Sequence, residues 1–160
     1  MLTGRVGSLI DQLGLLPHPE GGFYSEVYRS AHPVEPADGR GSRSALTTIY
    51  FLLPAGAISR WHRVLSDEVW HFYEGAPLDL WLASPGHSIE RLSLGVLGSD
   101  RRPVLTVPAG CWQAARSSGE YTLVGCTVGP GFDFRDFVLA ADCSDAPAQL
   151  RASPEYAQFW

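Results

Sequence analysis

The first sixteen residues of the chain carry apolar side chains at the spacing of one helix face. Val6, Leu9, Ile10 and Leu13 follow the i, i+3, i+4, i+7 rule of an amphipathic helix. A glycine and then a proline follow within four residues of the last of these positions, and both residues end helices. The pattern therefore predicts one short helix over residues 5–15.

From residue 23 onwards the pattern changes to short apolar or alternating segments separated by glycine and proline. Such segments are typical of β-strands, and the breaks hold turn signals such as Pro54-Ala-Gly56. Many short strands in this arrangement favour an all-β barrel or sandwich. The predicted strands cover residues 23–29, 45–53, 57–63, 68–73, 78–83, 88–94, 104–107 and 121–128, with a closing strand around 132–137.

Two segments lack a strand pattern. Residues 31–44 contain two prolines, two glycines and one large apolar residue, Val34, which predicts a long surface loop. Residues 141–160 predict an irregular or weakly helical tail. Because the chain shows no internal repeat and no sign of a second domain, we expect a single domain over residues 1–160, with its barrel over 23–140.

Composition and charge narrow the classes of function. The chain has 160 residues, 45% of them hydrophobic, which is enough for the core of one domain. The net charge of −5 contains no block of like charge, so we expect no nucleic-acid partner and no membrane partner. All 12 basic residues are arginine. The absence of lysine excludes a lysine Schiff base, a pyridoxal-phosphate site and a P-loop.

The cysteines indicate the compartment. Cys111, Cys126 and Cys143 are odd in number, widely spaced and without a CxxC pair. This arrangement favours a reducing cytoplasm over a disulfide framework or a structural zinc site. No run of 18 apolar residues occurs and the N-terminus lacks the layout of a signal peptide, so we expect a cytoplasmic protein.

One segment carries a recognisable signature. Gly56, His62, Glu68 and Gly75 resemble the first signature of the cupin superfamily, which is Gly, five residues, His-x-His, three or four residues, Glu, six residues, Gly. Val64 stands in the place of the second histidine of that signature.

A second segment resembles the other cupin signature, Pro-x-Gly, two residues, His. It begins at Pro108, and Gln113 replaces the histidine. Taken together, five ordered motifs are closest to one branch, the cupin-5 family, formerly a domain of unknown function. These motifs are His18–Tyr24, Thr48–Leu53, Asp67–Gly75, Pro108–Gln113 and Gly131–Phe137.

The resemblance implies a double-stranded β-helix (jelly roll) that is usually assembled as a homodimer, and it implies no settled activity. In a cupin the signature side chains point into the barrel. Because alternate residues of a strand share one face, we expect His62 and Glu68 to line one cavity, with Gln113 opposite.

Three interpretations of these residues stay open. An ordinary cupin metal site has three histidines and one glutamate, and His62, Glu68 and Gln113 would be a poor ligand set for a divalent transition metal. We therefore expect no cofactor. The second interpretation is metal-free acid–base chemistry, with His62 polarised by Glu68. The third is a satisfied buried pair without function.

The resemblance to metal-free cupins that epimerise nucleotide-linked sugars implies a tyrosine acid across the cavity. We name Tyr50 as the candidate, with Tyr24, Tyr73 and Tyr121 as alternatives. Other predicted positions follow from parity and chemistry. Trp70 and Phe72 are expected on the cavity face as ligand-stacking rings, and Tyr24, Glu26 and Tyr28 at the rim. We expect Arg43 and Arg116 as possible anion contacts. His71 is expected on the opposite face of its strand, and His18, His32 and His87 in solvent.

The sequence thus predicts a cupin that binds a small molecule. We expect it to be a metal-independent isomerase, epimerase or lyase that acts on a polar metabolite by proton transfer. The two alternatives are a non-catalytic small-molecule binding protein and a metal-dependent enzyme that uses His62, Glu68 and Gln113. The ligand-binding residues predicted in either case are Gln113, Trp70, Phe72, Tyr24 and Arg116.

Overall fold

The computed structural model describes residues 4–160; residues 1–3 of the predicted domain lie outside this range. Helix α1 spans Gly4–Leu13, and the buried side chains of Val6 and Leu9 form its inner face. The predicted amphipathic helix is therefore confirmed. Gly14, in the left-handed region at φ +60°, ends it.

Thirteen strands are described within residues 4–160, and most of them follow the predicted segments. They are β1 (Leu16–Pro17), β2 (Phe23–Arg29), β3 (Pro33–Val34), β4 (Arg43–Ser44), β5 (Thr47–Pro54), β6 (Ile58–Val64), β7 (Asp67–Gly75), β8 (Leu78–Ala83), β9 (Glu90–Leu94), β10 (Val104–Val107), β11 (Trp112–Ser117), β12 (Tyr121–Gly129) and β13 (Phe137–Leu139).

The strands form two large antiparallel sheets that enclose a common core. The six-stranded sheet has the order β1-β2-β5-β12-β7-β10, and the five-stranded sheet has the order β13-β6-β11-β8-β9. Side chains from both sheets meet in one buried cluster that includes Phe51, Trp70, Leu80 and Val124. The all-β jelly-roll prediction is thereby confirmed, and α1 packs outside the larger sheet against Leu52.

The sequence analysis missed strand β11. Its sequence, WQAARS, has no alternation because its first four residues are all buried, between β6 on one side and β8 on the other. A strand in the middle of a sheet that is covered on both faces does not show a period of two. Gln113 therefore lies in the wall of the barrel rather than at the end of a turn.

The C-terminal tail is folded onto the outer face of the smaller sheet. A 3₁₀ turn (Ala148–Arg151) carries Leu150, and Phe159 follows helix α2 (Pro154–Ala157); both side chains are fully buried. The Phe159 ring lies 4.7 Å from the Trp81 ring, centroid to centroid. The tail is thus short-helical, as predicted, and covers an apolar sheet face.

The loop at residues 31–44 is tied down by a buried ion pair. Arg43, predicted as a possible anion contact, has a buried side chain that donates two hydrogen bonds to Asp136, at 2.7 and 2.8 Å. Arg40 donates a third at 3.2 Å. This network fixes the 3₁₀ turn Phe134–Asp136, so Arg43 orders the loop and is unavailable to a ligand.

Neither α1 nor α2, nor any other helical segment within residues 4–160, is long and apolar enough to cross a membrane.

Replacing Phe159 by alanine should uncouple the tail from the sheet. Because Phe159 is fully buried between two tryptophans, we expect the free energy of unfolding to fall by about 3–5 kcal/mol. Urea denaturation followed by tryptophan fluorescence measures this change. As a control, Leu97→Ala at a side chain 71% exposed should change it by less than about 0.5 kcal/mol. Equal effects of the two substitutions would show that the tail is not part of the core.

Candidate functional site

A cavity of about 490 Å³ opens at one end of the barrel. Leu16 and Phe134, which are 65% and 51% exposed, stand at its mouth. Its inner end carries five titratable side chains that are almost inaccessible to solvent. These are His18, Glu20, His62, Glu68 and Cys126.

The contact between Glu20 and His62 is the shortest between an acid and a histidine in the part of the chain that the structure describes. His62 Nε2 lies 3.2 Å from Glu20 Oε2, and the exposed fractions of the two side chains are 2% and 9%. The other imidazole nitrogen, Nδ1, lies 2.7 Å from the carbonyl oxygen of Arg60. Ser59 donates a hydrogen bond of 2.7 Å to Glu20 Oε1.

The partners of His62 fix the position of its protons. A carbonyl oxygen only accepts, so Nδ1 of His62 must carry a proton and donate to Arg60. One further proton must then lie between Nε2 and Glu20 Oε2, because two bare acceptors would repel each other. Burial lowers the pKa of His62 and raises the pKa of Glu20. Both directions favour the neutral pair, with the shared proton on Glu20.

His18 lies on the other side of the same carboxyl group. Its Nδ1 accepts a hydrogen bond of 3.2 Å from the backbone N–H of Glu20 and lies 3.5 Å from Glu20 Oε2. Burial lowers the pKa of His18, which favours the neutral ring. The prediction that His18 is solvated was wrong, since its side chain is 5% exposed. Glu20 therefore lies between two neutral imidazoles.

Glu68 forms a second buried acid with its own partners. Its Oε2 accepts a hydrogen bond of 2.6 Å from Gln113 Nε2, and Gln113 Oε1 accepts one of 3.1 Å from the indole N–H of Trp70. Burial raises the pKa of Glu68, and a protonated His62 would lower it in part. The thiol of Cys126 hydrogen-bonds to Glu68, and burial raises the pKa of this thiol well above its ordinary value. Cys126 is thus a hydrogen-bond donor and not a thiolate nucleophile.

A tight turn brings Glu20 to strand β6. Gly21 has φ +113°, and a Cβ at this position would collide with the carbonyl oxygen of Ile58. The backbone N–H of Arg60 donates a hydrogen bond of 2.9 Å to the carbonyl of Glu20. Only glycine permits this approach of the turn to the strand. The turn places the Glu20 carboxyl beside His62.

The structure brings together only some of the predicted site residues. His62 and Glu68 both line the cavity, and Tyr24 lies at its side. Gln113 lies behind Glu68 in the barrel wall. His62 and Glu68 do not hydrogen-bond to each other, because each has another partner.

Four of the predicted residues lie away from the cavity. Tyr50 is on the outer face of the larger sheet, where it packs against α1 and the Tyr73 ring. Trp70 and Phe72 face the core, as parity predicts, but each step of two residues along β7 adds about 7 Å of distance from Glu68. Arg116 lies over the Trp81 ring and donates to Gln158.

Two further predicted tyrosines and two of the predicted histidines lie outside the cavity. Tyr121 donates to Glu74 on the outside, and Tyr73 is 50% exposed on the outer sheet face. His32 and His87 are exposed, as predicted. Of the predicted acids, Tyr24 is therefore the tyrosine that lines the cavity.

Sequence reasoning missed Glu20 and the aromatic residues of the mouth, Phe132 and Phe134. Glu20 sits in a turn, where neither helical nor strand periodicity marks a buried residue. The adjacent Gly21-Gly22 pair is the signal that could have found it, since two glycines with positive φ indicate close backbone packing.

The residues at the usual cupin metal position do not fit a transition-metal ion. Val64 offers only an alkyl group, and the amide oxygen of Gln113 already accepts from Trp70. His62 Nε2 faces Glu20 rather than the Glu68 side of the cavity. Among residues 4–160, no three histidine, cysteine, aspartate or glutamate side chains converge as a metal site would require.

Known proteins match the chain over most of its length. A family model described as cupin superfamily (DUF985) matches residues 7–140. The structure is similar to a protein from Shewanella oneidensis, with 37% identity, coverage of 86% of this chain and 85% of the other, and a TM-score of 0.77. It is also similar to a hypothetical protein from Leishmania major, with 34% identity, coverage of 98% and 97%, and a TM-score of 0.81.

A more distant likeness concerns the fold alone. Oxalate decarboxylase from Bacillus subtilis is 15% identical; 89% of this chain superposes on 32% of that chain with a TM-score of 0.59. No curated protein matches the sequence. The two signatures, the jelly roll and the family match agree, and the chain belongs to the DUF985 family of the cupin superfamily.

Proposed function

We propose that this cupin is a metal-independent enzyme that moves a proton on a small polar molecule, as an isomerase, epimerase or lyase does. The observation that carries the proposal is the 3.2 Å contact between Glu20 Oε2 and His62 Nε2 inside an open cavity. The hypothesis of a His62–Glu68 dyad is replaced by a Glu20–His62 dyad, with Glu68 as a separate acid.

The proposed base is Glu20, activated through His62. When the shared proton moves from Glu20 Oε2 to His62 Nε2, Glu20 becomes a carboxylate and His62 an imidazolium that keeps its Nδ1–H on Arg60. The carboxylate then accepts a proton from a carbon atom of the ligand. The positive charge then stays on His62, and the balancing negative charge appears on Glu68 when Glu68 gives its proton to the ligand.

The proposed acid is Glu68. Burial raises its pKa, so the group holds a proton available to a ligand oxygen. Protonation of that oxygen balances the proton lost from carbon and gives an enol-type intermediate. Return of a proton to the same or a neighbouring carbon completes an epimerisation or an isomerisation, and loss of a leaving group completes an elimination.

Assembly and compartment are proposed together with this function. We propose a homodimer because, within residues 4–160, β1 pairs only with Phe23 and Tyr24 and leaves the rest of the β2 edge open, with Val27 and Tyr28 about half exposed. The three unpaired cysteines support a reducing cytoplasm.

Proton transfer can be tested without knowing the substrate. We expect the protein to catalyse hydrogen–deuterium exchange at carbon in at least one member of a panel of aldoses, ketoses, hydroxyketones and keto acids, followed by NMR in D₂O. Glu20→Gln and His62→Gln should each reduce the exchange rate by about 10²–10⁴-fold, because each removes the base or its proton acceptor.

The matched controls carry the same substitutions on the surface. Glu90→Gln and His87→Gln, at exposed positions outside the cavity, should keep the wild-type rate. Binding of panel members without exchange would favour the non-catalytic binding protein. Exchange that survives both cavity substitutions would refute the proposed dyad.

The raised pKa of Glu68 predicts a pH-dependent stability difference. At pH values above 4.5 the unfolded chain has lost this proton while the native protein keeps it, so wild-type stability falls as pH rises toward the native pKa. Glu68→Gln lacks this loss. Its unfolding free energy relative to wild type should therefore rise with pH, by at most about 1.4 kcal/mol per pH unit.

Glu74 is a control of opposite sign. Hydrogen bonds from Arg5 and Tyr121 lower the pKa of Glu74 to about 2, so wild type gains stability between that pH and 4.5, and Glu74→Gln should lose stability relative to wild type there. Urea titrations at a series of pH values measure both differences. A flat difference for Glu68→Gln would mean that the pKa of Glu68 is the same in the native and the unfolded protein, which contradicts the raised pKa.

A further inference from the structure

The cavity has a single basic side chain from arginine or lysine, and that side chain is already neutralised. Within residues 4–160, Arg29 is the only arginine that lines the cavity, and the chain has no lysine. Glu26 accepts two hydrogen bonds from Arg29, at 2.9 and 2.7 Å. A third N–H of Arg29 donates to the carbonyl oxygen of Phe132 at 3.1 Å. Three of the five guanidinium N–H groups are thus occupied by the protein itself, and the positive charge is paired with Glu26.

The other charged group at the rim is paired as well. Asp133 accepts hydrogen bonds of 3.0 and 2.7 Å from the guanidinium of Arg135, and one of 2.9 Å from its backbone N–H. This pairing lowers the pKa of Asp133 and keeps the carboxylate ionised and engaged. The rim therefore offers no free cation to an anion and no free carboxylate to a cation.

The inner end of the cavity is polar but uncharged. The side chains of His18, Glu20, His62 and Glu68 are each at most 9% exposed, and burial shifts the pKa of each group in the direction of its uncharged form. An anionic ligand would lose its hydration here without gaining a compensating charge, which is the unfavourable situation of a buried unpaired ion. An uncharged ligand with a carbonyl or hydroxyl group finds both donors and acceptors.

The mouth of the cavity is aromatic. Phe132 and Phe134 lie edge to face with centroids 5.0 Å apart, and Tyr24 lies edge to face with His18 at 4.6 Å. Such a collar contacts the flat or C–H-rich face of a ring. The polar group of the ligand then enters first and its ring stays between these side chains.

We propose that the cavity takes an uncharged ring compound carrying a carbonyl or hydroxyl group, and that Glu26 sets this selectivity by neutralising Arg29. The inference rests on the cavity being the ligand site of the proposed function, and it excludes carboxylates, phosphates and nucleotide-linked sugars as ligands. Glu26 is a specificity-determining residue at the rim and takes no part in proton transfer.

The test uses compounds that differ in charge and share a ring. Nicotinamide is compared with nicotinate and with the ring-methylated cation 1-methylnicotinamide, uracil with orotate, and glucose with glucose 6-phosphate. Binding is followed by the ¹H–¹³C NMR signals of the His18 and His62 rings, which line the cavity. In the wild-type protein we expect the uncharged member that binds best to bind at least about tenfold more tightly than its charged partners.

The Glu26→Gln variant removes the negative charge at the rim and leaves the shape of the side chain nearly unchanged. The amide still accepts a hydrogen bond from Arg29 but leaves its positive charge unbalanced, so the anionic partner should gain about tenfold in affinity while the uncharged one changes little. Glu90→Gln, which removes one exposed carboxylate outside the cavity, should leave the ratio unchanged.

Each outcome decides the inference. Three results would overturn it. The wild-type protein could bind the anions equally or more tightly, or Glu26→Gln could leave the ratio of uncharged to anionic affinity unchanged. The third is that no uncharged compound shifts the His18 and His62 signals. Failure of the proposed function gives a different result: selective binding of uncharged rings with no hydrogen–deuterium exchange. Exchange confined to keto acids would refute the selectivity and leave the proton-transfer proposal standing.

Discussion

The shared proton between Glu20 and His62 is the constraint on which the site depends. Two buried groups 3.2 Å apart must hold one proton between them, since neither can be left bare beside the other. The hydrogen bond from His62 Nδ1 to Arg60 turns Nε2 toward Glu20 and no other acid. Ionising the pair inside the barrel is costly, so the pair is neutral at rest and becomes a base only when its proton moves.

The neighbouring side chains maintain this arrangement. Gln113 holds Glu68 by a hydrogen bond of 2.6 Å and is itself held by the Trp70 indole. A position that carries a metal-binding histidine in the general cupin signature thus orients an acid here. The turn with Gly21 holds Glu20 against β6, and the Arg43–Asp136 pair orders the segment with Phe134 at the mouth. These contacts within the protein hold the side chains of the cavity in place.

Periodicity predicted the elements well and the site only in part. The helix and most of the strands follow from spacing, and the inward direction of His62 and Glu68 follows from the cupin resemblance together with strand alternation. Strand β11 escaped notice because it is buried on both faces. Parity also says which face of a sheet Trp70 occupies but not how far along the strand the cavity ends.

Glu20 and His18 could not be found from periodicity, because turn residues owe their burial to a distant strand. Both become buried only when the turn meets β6, a contact that the Gly21-Gly22 pair marks locally but that hydrophobic periodicity does not show. The same applies to the hydrogen-bond partners. The sequence placed Glu68 as the partner of His62, whereas the fold supplies a second acid at shorter range and gives Glu68 to Gln113.

The proton shared by Glu20 and His62 is tested most directly by determining the protonation state of His62. Long-range ¹H–¹⁵N NMR of histidine-labelled protein at neutral pH, with the signals assigned through His62→Gln, reports which ring nitrogens carry a proton. A neutral Glu20–His62 pair predicts a neutral ring with its proton on Nδ1 and an unprotonated Nε2 that accepts a hydrogen bond from Glu20. An imidazolium with both nitrogens protonated, or a neutral ring with its proton on Nε2, would contradict it.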